Sequence, residues 1–385
     1  MNRRLEQAQA CVGQGVAAID TPALVIDLDA MERNLARMAA FAAGRGLRLR
    51  PHAKMHKSAE LAKRQMAHGA VGVCVQKTDE ALALAHAGVH DIFISNEVIA
   101  PAKLARLAAA VRDLPTRFGI AVDSALGITR LAQALDAAGV HALGAIDVFI
   151  EIDVGQGRCG VAPGEAAVPL ARQIAQHPAL RFAGLQAYHG GAQHQRTLAE
   201  RRVAIEGATQ AVVRSRDALT AAGFSVPLVT GAGTGSFVLE TASGAWGELQ
   251  AGSYLFMDAD YAVNQTEADD PVFDHALFVK SQVMSRSENH AVCDAGHKSH
   301  AIDSGLPAVA WPSGLVFANG GDEHGILRAA GPGTALPELG ETVWLIPGHC
   351  DPTVNLHDFA FGVVGGLAAG RVERVIRVDT RGALG

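Results

Sequence analysis

The chain has 385 residues and a formal net charge of −6, with 49% apolar and 19% charged residues. This composition excludes a disordered chain, and no basic stripe with interleaved aromatics marks a nucleic-acid surface. No run reaches the roughly 18 apolar residues of a membrane span, no apolar segment follows Arg3 and Arg4 as an export signal would require, and the five scattered cysteines contain no C-x-x-C pair. A protein of the reducing cytoplasm, without membrane or nucleic-acid partners, is expected.

In chain order, residues 1–20 are expected to form a loosely held arm. Ala23–Ile26 predicts a short strand, and Asp29 with Glu32 predicts an acidic helix start. Met31, Leu35, Met38 and Phe41 then recur at helical spacing and give that helix its buried face. From Leu47 a repeating pattern begins, in which a short apolar strand precedes an Ala/Leu-rich helix. The predicted strands are 47–50, 71–75, 92–95, 118–122, 147–152, 182–187, 227–230 and 248–251. Ser58, Thr78 and Ser124 are predicted N-caps, Pro101 a first-turn residue, and Gly88 and Gly139 helix stops. Eight strand–helix units without a G-x-G-x-x-G after the first strand predict an α/β fold of the (β/α)8 TIM-barrel type. Beyond residue 265, predicted strands at 276–283, 290–293, 343–346 and 372–378 lie among Gly, Pro, Asn and Asp turns. The expected organisation is an arm (1–20), a barrel (21–265) and a mostly β C-terminal domain (266–385), with strand 23–26 a candidate member of that last domain.

A barrel places its chemistry at the C-terminal ends of its strands. Those ends carry Lys54, Gln76, Asn96 and Glu97, Asp123, Asp153 and Arg158, Tyr188 with His189 and His194, Gly231–Ser236, and Gly252-Ser253-Tyr254. Lys54 lies in Arg50-Pro51-His52-Ala53-Lys54-Met55-His56-Lys57, where neighbouring cations are expected to hold a lysine partly neutral and fit for a Schiff base. In Gly231-Ala232-Gly233-Thr234-Gly235-Ser236, glycines and hydroxyls form a candidate anion nest at the position where barrels hold phosphate. A lysine and a phosphate nest on one mouth suggest pyridoxal phosphate, with Arg158 facing the pyridine nitrogen. In Pro347-Gly348-His349-Cys350-Asp351-Pro352-Thr353, an extended backbone would point His349 and Asp351 to one side, as ligands for a hard divalent ion such as Mn2+ or Mg2+. A loop ion pair is the alternative. His357 and Asp358 form a second His/Asp pair, expected to be structural or outer to the metal.

The strings RPHAKMHKS, VCVQK, EIDVGQGRCGV, LQAYHGGAQH, TGAGTGS, ELQAGSYLFMDADY, DEHG and PGHCDPTVNLHD resemble the D-threonine aldolase and 3-hydroxy-D-aspartate aldolase group. That group belongs with D-serine dehydratases and alanine racemase in the fold-type III pyridoxal phosphate enzymes. The resemblance runs from Thr21 to the end of the chain. It implies a barrel plus β domain, a homodimer, pyridoxal 5'-phosphate and a divalent metal. It places the covalent link on Lys54 rather than Lys57 and the cofactor contacts on Gln76, Arg158, Tyr188, Thr234, Gly252, Ser253 and Tyr261, beside the nest glycines Gly233 and Gly235. It puts the metal on His349 and Asp351 and the catalytic base on His194. The implied reaction is retro-aldol cleavage of a β-hydroxy-D-amino acid to glycine and an aldehyde, with D-threonine or 3-hydroxy-D-aspartate as substrate. A D-serine dehydratase, whose metal motif would read H-x-C, and a non-catalytic pyridoxal phosphate carrier are the alternatives. For a hydroxyaspartate, Lys298, His297 or the metal is the candidate partner of the second carboxylate.

Overall fold

After strand β1 (Ala23–Asp27), short strands rich in Val, Ile and Phe alternate with Ala/Leu-rich helices, and in the computed structural model, which describes residues 3–385, they close into a barrel. The eight are β2 (Arg48–Leu49), β3 (Val73–Val75), β4 (Asp91–Glu97), β5 (Arg117–Val122), β6 (Ile146–Glu151), β7 (Leu180–Ala187), β8 (Val229–Gly231) and β9 (Glu248–Leu249). They pair in parallel from β3 through to β9, and β9 pairs with β2. The last seam, between β2 and β3, closes through Val71 N–H to Leu49 O (2.9 Å), Cys74 N–H to Pro51 O (2.9 Å) and a bridge between His52 and Cys74. The predicted (β/α)8 barrel is present.

The lower end of the barrel is sealed by charge. Arg50 is 6% exposed and pairs with Glu248 and Asp91, while Asp147 takes both Arg117 and Arg181. Above these pairs Cys74, Phe93, Ala121 and Phe149 fill the lumen. The helices pack outside, with Leu104, Leu107, Ile128 and Leu131 buried against the strands.

A nine-stranded sheet forms the second layer. It contains β10 (Leu277–Arg286), β11 (Ala291–Cys293), β12 (Ala308–Trp311), β13 (Leu315–Asn319), β14 (Gly325–Ala329), β15 (Thr342–Ile346), β16 (Phe359–Val364) and β17 (Arg371–Arg377). Strand β1 lies inside it, antiparallel to β10 and parallel to β16. The sheet therefore takes one strand from before the barrel and the other eight from after it. Helix Leu28–Ala43 carries Met31, Leu35, Met38 and Phe41 into a core shared with Leu249, Tyr254, Leu277 and Leu345.

Several local expectations are corrected. Helix Leu28–Ala43 is capped by Asp27, whose Oδ1 accepts from Asp29 and Ala30 N–H (3.0 Å each), while Asp29 accepts from Gly365 N–H and Glu32 pairs with Arg64. Thr78 is the first helical residue rather than the cap, because Glu80 Oε2 reaches back to Gln76 and Lys77 N–H. Ser58 stands at the cap position without bonding, and Asp379 caps Ala59 N–H in its place (2.8 Å). Strands β12, β13, β14 and β16 were not anticipated. They are short and set among Gly, Pro and Asn residues that read as turns.

The arm is not loose either. Residues Arg3–Ala10 are helical, Gly13 N–H bonds Val372 O (2.8 Å) and Val372 N–H bonds Gln14 O (2.9 Å). Lys280, 4% exposed, donates to Val16 O (3.1 Å) and Ile19 O (2.6 Å). Replacing that donor leaves the buried Ile19 carbonyl unpaired, while Val16 O keeps the Ile19 N–H (3.1 Å), a loss of about 1–3 kcal/mol. Lys280→Met should therefore lower stability by about that amount and speed proteolysis of residues 3–20 in a limited-digestion assay. Unchanged cleavage would show that the arm is held without this contact.

Candidate active site

The cationic run after β2 is separated by the fold. Arg50 points to the barrel floor and His56 is buried against Gln65 (3.2 Å). Lys57 is buried with Glu80 (2.6 Å) and closes the turn at φ 54°. Only His52, Lys54 and Met55 of this segment face the upper cavity. Among the described residues three non-glycines have positive φ, namely Lys57, Ala232 and Met257, and they sit in the turns after β2, β8 and β9. Such conformations cost about 1–3 kcal/mol each and collect where a site fixes its geometry.

The cavity opens at the C-terminal ends of the barrel strands. It brings together Lys54, Gln76, Arg158, Tyr188, His194, Gly233, Thr234, Gly252, Ser253, Tyr261, His349 and Asp351. Gly235 is the exception. Its N–H is taken by Gln193 Oε1 (2.8 Å), and the residue lines the cleft behind. Gly233 and Gly252 allow close backbone approach, since a Cβ there would meet Gln193 Oε1 at 2.4 Å and His52 O at 2.9 Å. Among the described residues, the amides of Gly233, Thr234 and Gly252 donate to no protein acceptor, as an anion cradle requires.

Lys54 does not meet the expected environment. Burial lowers its pKa, but the Asp351 carboxylate, 3.4 Å from Nζ, outweighs burial and holds the ammonium above its usual value. Cations instead act on His52, which burial first and Lys54 second keep well below the ordinary histidine range. Gln76 Nε2 lies 2.8 Å from His52 Nε2 and 3.0 Å from Ser95 Oγ. Arg158 rides on a fixed loop, in which Asp153 Oδ1 accepts from Gly155 and Gly157 N–H (2.9 and 3.0 Å). Its guanidinium lies 5.7 Å from the centre of the Tyr188 ring. Burial first and Glu97 second push the Glu151 carboxyl well above the usual carboxylate range, against the opposing pull of Arg158.

The His349/Asp351 segment is not extended. His349 is the N-cap of a short helix, Cys350–Val354, whose first N–H donates to Asp258 Oδ2 (2.9 Å). The two side chains still converge, with His349 Nε2 3.7 Å from Asp351 Oδ1. Asp303 Oδ2 accepts from His349 Nδ1 (2.8 Å), which turns the other ring nitrogen towards Asp351. Asp351 Oδ1 is buried with no hydrogen-bond partner among the described residues. An oriented imidazole and an unpartnered carboxylate oxygen fit one divalent cation with coordination positions left open. Cys350 Sγ points away, to Met257 O at 3.5 Å. His357 bonds Ser299 O (2.8 Å), Asp358 pairs with Arg381, and both stand outside the cavity. His297 and Lys298 are also outside it, paired with Asp322 and Glu323.

Residues 26–260 match the family "Alanine racemase, N-terminal domain", and residues 276–363 match "Putative serine dehydratase domain". The chain is 44% identical to the D-threonine aldolase of an Arthrobacter species over 96% of its length and 95% of that protein's. It is 41% identical to the 3-hydroxy-D-aspartate aldolase of Paracoccus denitrificans, over 97% of this chain and 95% of the relative. The crystal structure of D-threonine aldolase from Filomicrobium marinum superposes with a TM-score of 0.91 at 47% identity, covering 96% of this chain and 98% of that one. The chain belongs to the aldolase group of the alanine racemase-like, fold-type III pyridoxal phosphate enzymes.

The cavity suits that family's cofactor, with a lysine at one wall, free backbone amides at another, and Arg158 and Tyr188 between. Sequence reading missed several of its members. Ser95, Gln186 and Gln250 line the cavity from strand ends one or two residues short of those singled out. Gln250 spans the lumen to Gln186 Oε1 (2.7 Å) and Thr230 Oγ1 (2.8 Å). Asp260 and Asp303 are distant in sequence from the histidines they bond, so spacing carries no signal for them. Lys54→Ala in this fold-type III enzyme should abolish the visible cofactor absorption and the borohydride-reducible adduct. Lys57→Met should keep both while losing about 3–5 kcal/mol of stability, because it strands the Glu80 carboxylate. The reverse spectral result would move the covalent link to Lys57.

Proposed function

We propose that the protein cleaves β-hydroxy-D-amino acids of the D-threonine type to glycine and an aldehyde, using pyridoxal 5'-phosphate and a divalent metal, Mn2+ or Mg2+. The observation that carries this reading is the unpartnered Asp351 oxygen facing His349 Nε2 in the same cavity as Lys54. The names and near-complete coverage of the aldolase relatives support the reaction type. The 3-hydroxy-D-aspartate aldolase at 41% identity supports a second substrate reading, in which the product aldehyde is glyoxylate. A dehydratase of the H-x-C type is disfavoured, because the second ligand position holds Asp351 rather than cysteine, and the adjacent Cys350 is fully buried and turned to the Met257 carbonyl. A non-catalytic carrier is disfavoured because the β domain contributes His349 and Asp351 to the cavity.

In this reading Lys54 would anchor the cofactor, Gly233, Thr234, Gly252 and Ser253 would hold its phosphate, and Gln76, Arg158, Tyr188 and Tyr261 would border its ring. Bound pyridoxal phosphate supplies an electron sink for the pair released from the Cα–Cβ bond. Arg158 donates but cannot deliver a proton to the ring nitrogen, so that sink stays moderate. His349 and Asp351 would hold the divalent ion, which supplies Lewis acidity towards a hydroxyl oxygen. His194 takes the proton of the β-hydroxyl at Nε2. Cα–Cβ cleavage then gives the aldehyde, and the pair left on Cα takes up a proton to give glycine.

The five unpaired cysteines support a cytoplasmic setting, and the alanine racemase-like fold supports a homodimer. Among the described residues no helix is long and apolar enough to cross a membrane. Incubation with D-threonine, 3-hydroxy-D-aspartate and D-serine should yield glycine from one or both of the first two and no ammonia from the third. Exhaustive EDTA treatment should abolish cleavage and Mn2+ or Mg2+ restore it. Ammonia as the main product, or full activity after chelation, would contradict the assignment.

A further inference from the structure

His194 closes the 3-10 turn Gly190–His194, and its side chain is 47% exposed at the cavity rim. Its Nδ1 lies 2.7 Å from Asp260 Oδ2. The Asp260 side chain is only 2% exposed, and Arg196 donates one N–H to its Oδ1 and another to its backbone carbonyl (2.6 Å). Arg196 is itself braced by Asn264 Oδ1 (2.8 Å). The Asp260 N–H in turn donates to Gly348 O (3.1 Å), beside the His349/Asp351 segment. The neighbouring Tyr261 ring lies 6.0 Å from the imidazole.

We propose that Asp260 and Arg196 are positioning residues that commit His194 to act as a base. A carboxylate only accepts hydrogen bonds, so Asp260 holds the proton of the neutral imidazole on Nδ1 and leaves the Nε2 lone pair for the cavity. Arg196 occupies the second carboxylate oxygen, so Asp260 cannot rotate away from the ring. The Gly348 contact keeps this unit in register with the His349/Asp351 loop. The inference rests on His194 being the base in the proposed cleavage.

Asp260→Asn gives the sharpest test. Arg196 would claim the amide oxygen of Asn, turning its NH2 towards Nδ1. The ring would then carry its proton on Nε2 and lose its basic lone pair in the cavity. A tautomer inversion of this kind lowers kcat by up to about 10^4-fold. Here kcat should fall by at least about 100-fold, the lower range of general-base effects, with KM, visible cofactor absorption and melting temperature nearly unchanged. Asp260→Glu, which keeps an acceptor, should recover part of the loss. Because Asp260 acts through His194, the double variant His194→Ala/Asp260→Asn should be no slower than His194→Ala alone. Near-normal kcat in Asp260→Asn, with His194→Ala impaired, overturns the positioning role alone. So does a double variant whose losses multiply, since that marks a merely structural contact. An unimpaired His194→Ala overturns the base reading and this inference with it.

Discussion

The site depends on one covalently remote connection, that of the segment after β9 to the segment before helix Cys350–Val354. Asp258 is fully buried and accepts N–H bonds from Tyr261 (3.0 Å) and Cys350 (2.9 Å). Ala259 and Asp260 donate to the Pro347 and Gly348 carbonyls (3.0 and 3.1 Å). These contacts place the β domain's His349 and Asp351 above the barrel's Lys54. Burial pushes Asp258 up to about 6 against the opposing pull of the two N–H donors, so the connection uses a group that the fold has to desolvate. Without it, the barrel would carry a lysine and an anion cradle but no cation-binding pair.

The electrostatics of the lysine follow from the same connection. A run containing Arg50, His52, Lys54, His56 and Lys57 suggests mutual repulsion, yet the strand and its turn send these groups to different places. Arg50 and Lys57 meet carboxylates on the floor and flank, and His52 and His56 are kept neutral by burial. Lys54 is left facing Asp351, the carboxylate that also forms half of the candidate metal pair. The lysine and the candidate metal pair thus share one carboxylate residue. Charge that looked concentrated in sequence is distributed by geometry, and the nearest strong influence on Lys54 comes from almost 300 residues further along the chain, as the Lys54 and Asp351 numbering shows.

The barrel was legible because each unit is local. Hydrophobic strands, helix periodicity and glycine stops recur from one strand–helix unit to the next, and the strand ends that result carry the polar residues. The aldolase motifs added the lysine, the glycine nest and the His349/Asp351 pair. Three kinds of feature stayed out of reach. The start at Thr78 was misassigned by one residue because Glu80, inside the first turn, takes the Gln76 and Lys77 amides; at Ala59 the start was legible, but the capping bond comes from the distant Asp379. Edge strands such as β12 and β13 were too short for period-2 alternation to stand above their turn residues. Partners such as Asp260 for His194, and Asp303 for His349, are set by tertiary contact alone. Gly235 shows the opposite failure, a residue with the right local pattern whose amide a glutamine side chain has already taken.

The central claim is that one cavity joins the Lys54 link to a cation held by His349 and Asp351. A crystal structure of the enzyme loaded with pyridoxal phosphate and Mn2+, with data collected at the manganese edge, tests it most directly. The predicted result is continuous density from Lys54 Nζ to the cofactor and a single anomalous peak between His349 Nε2 and Asp351. A peak elsewhere, or cofactor density leading to Lys57, would contradict it.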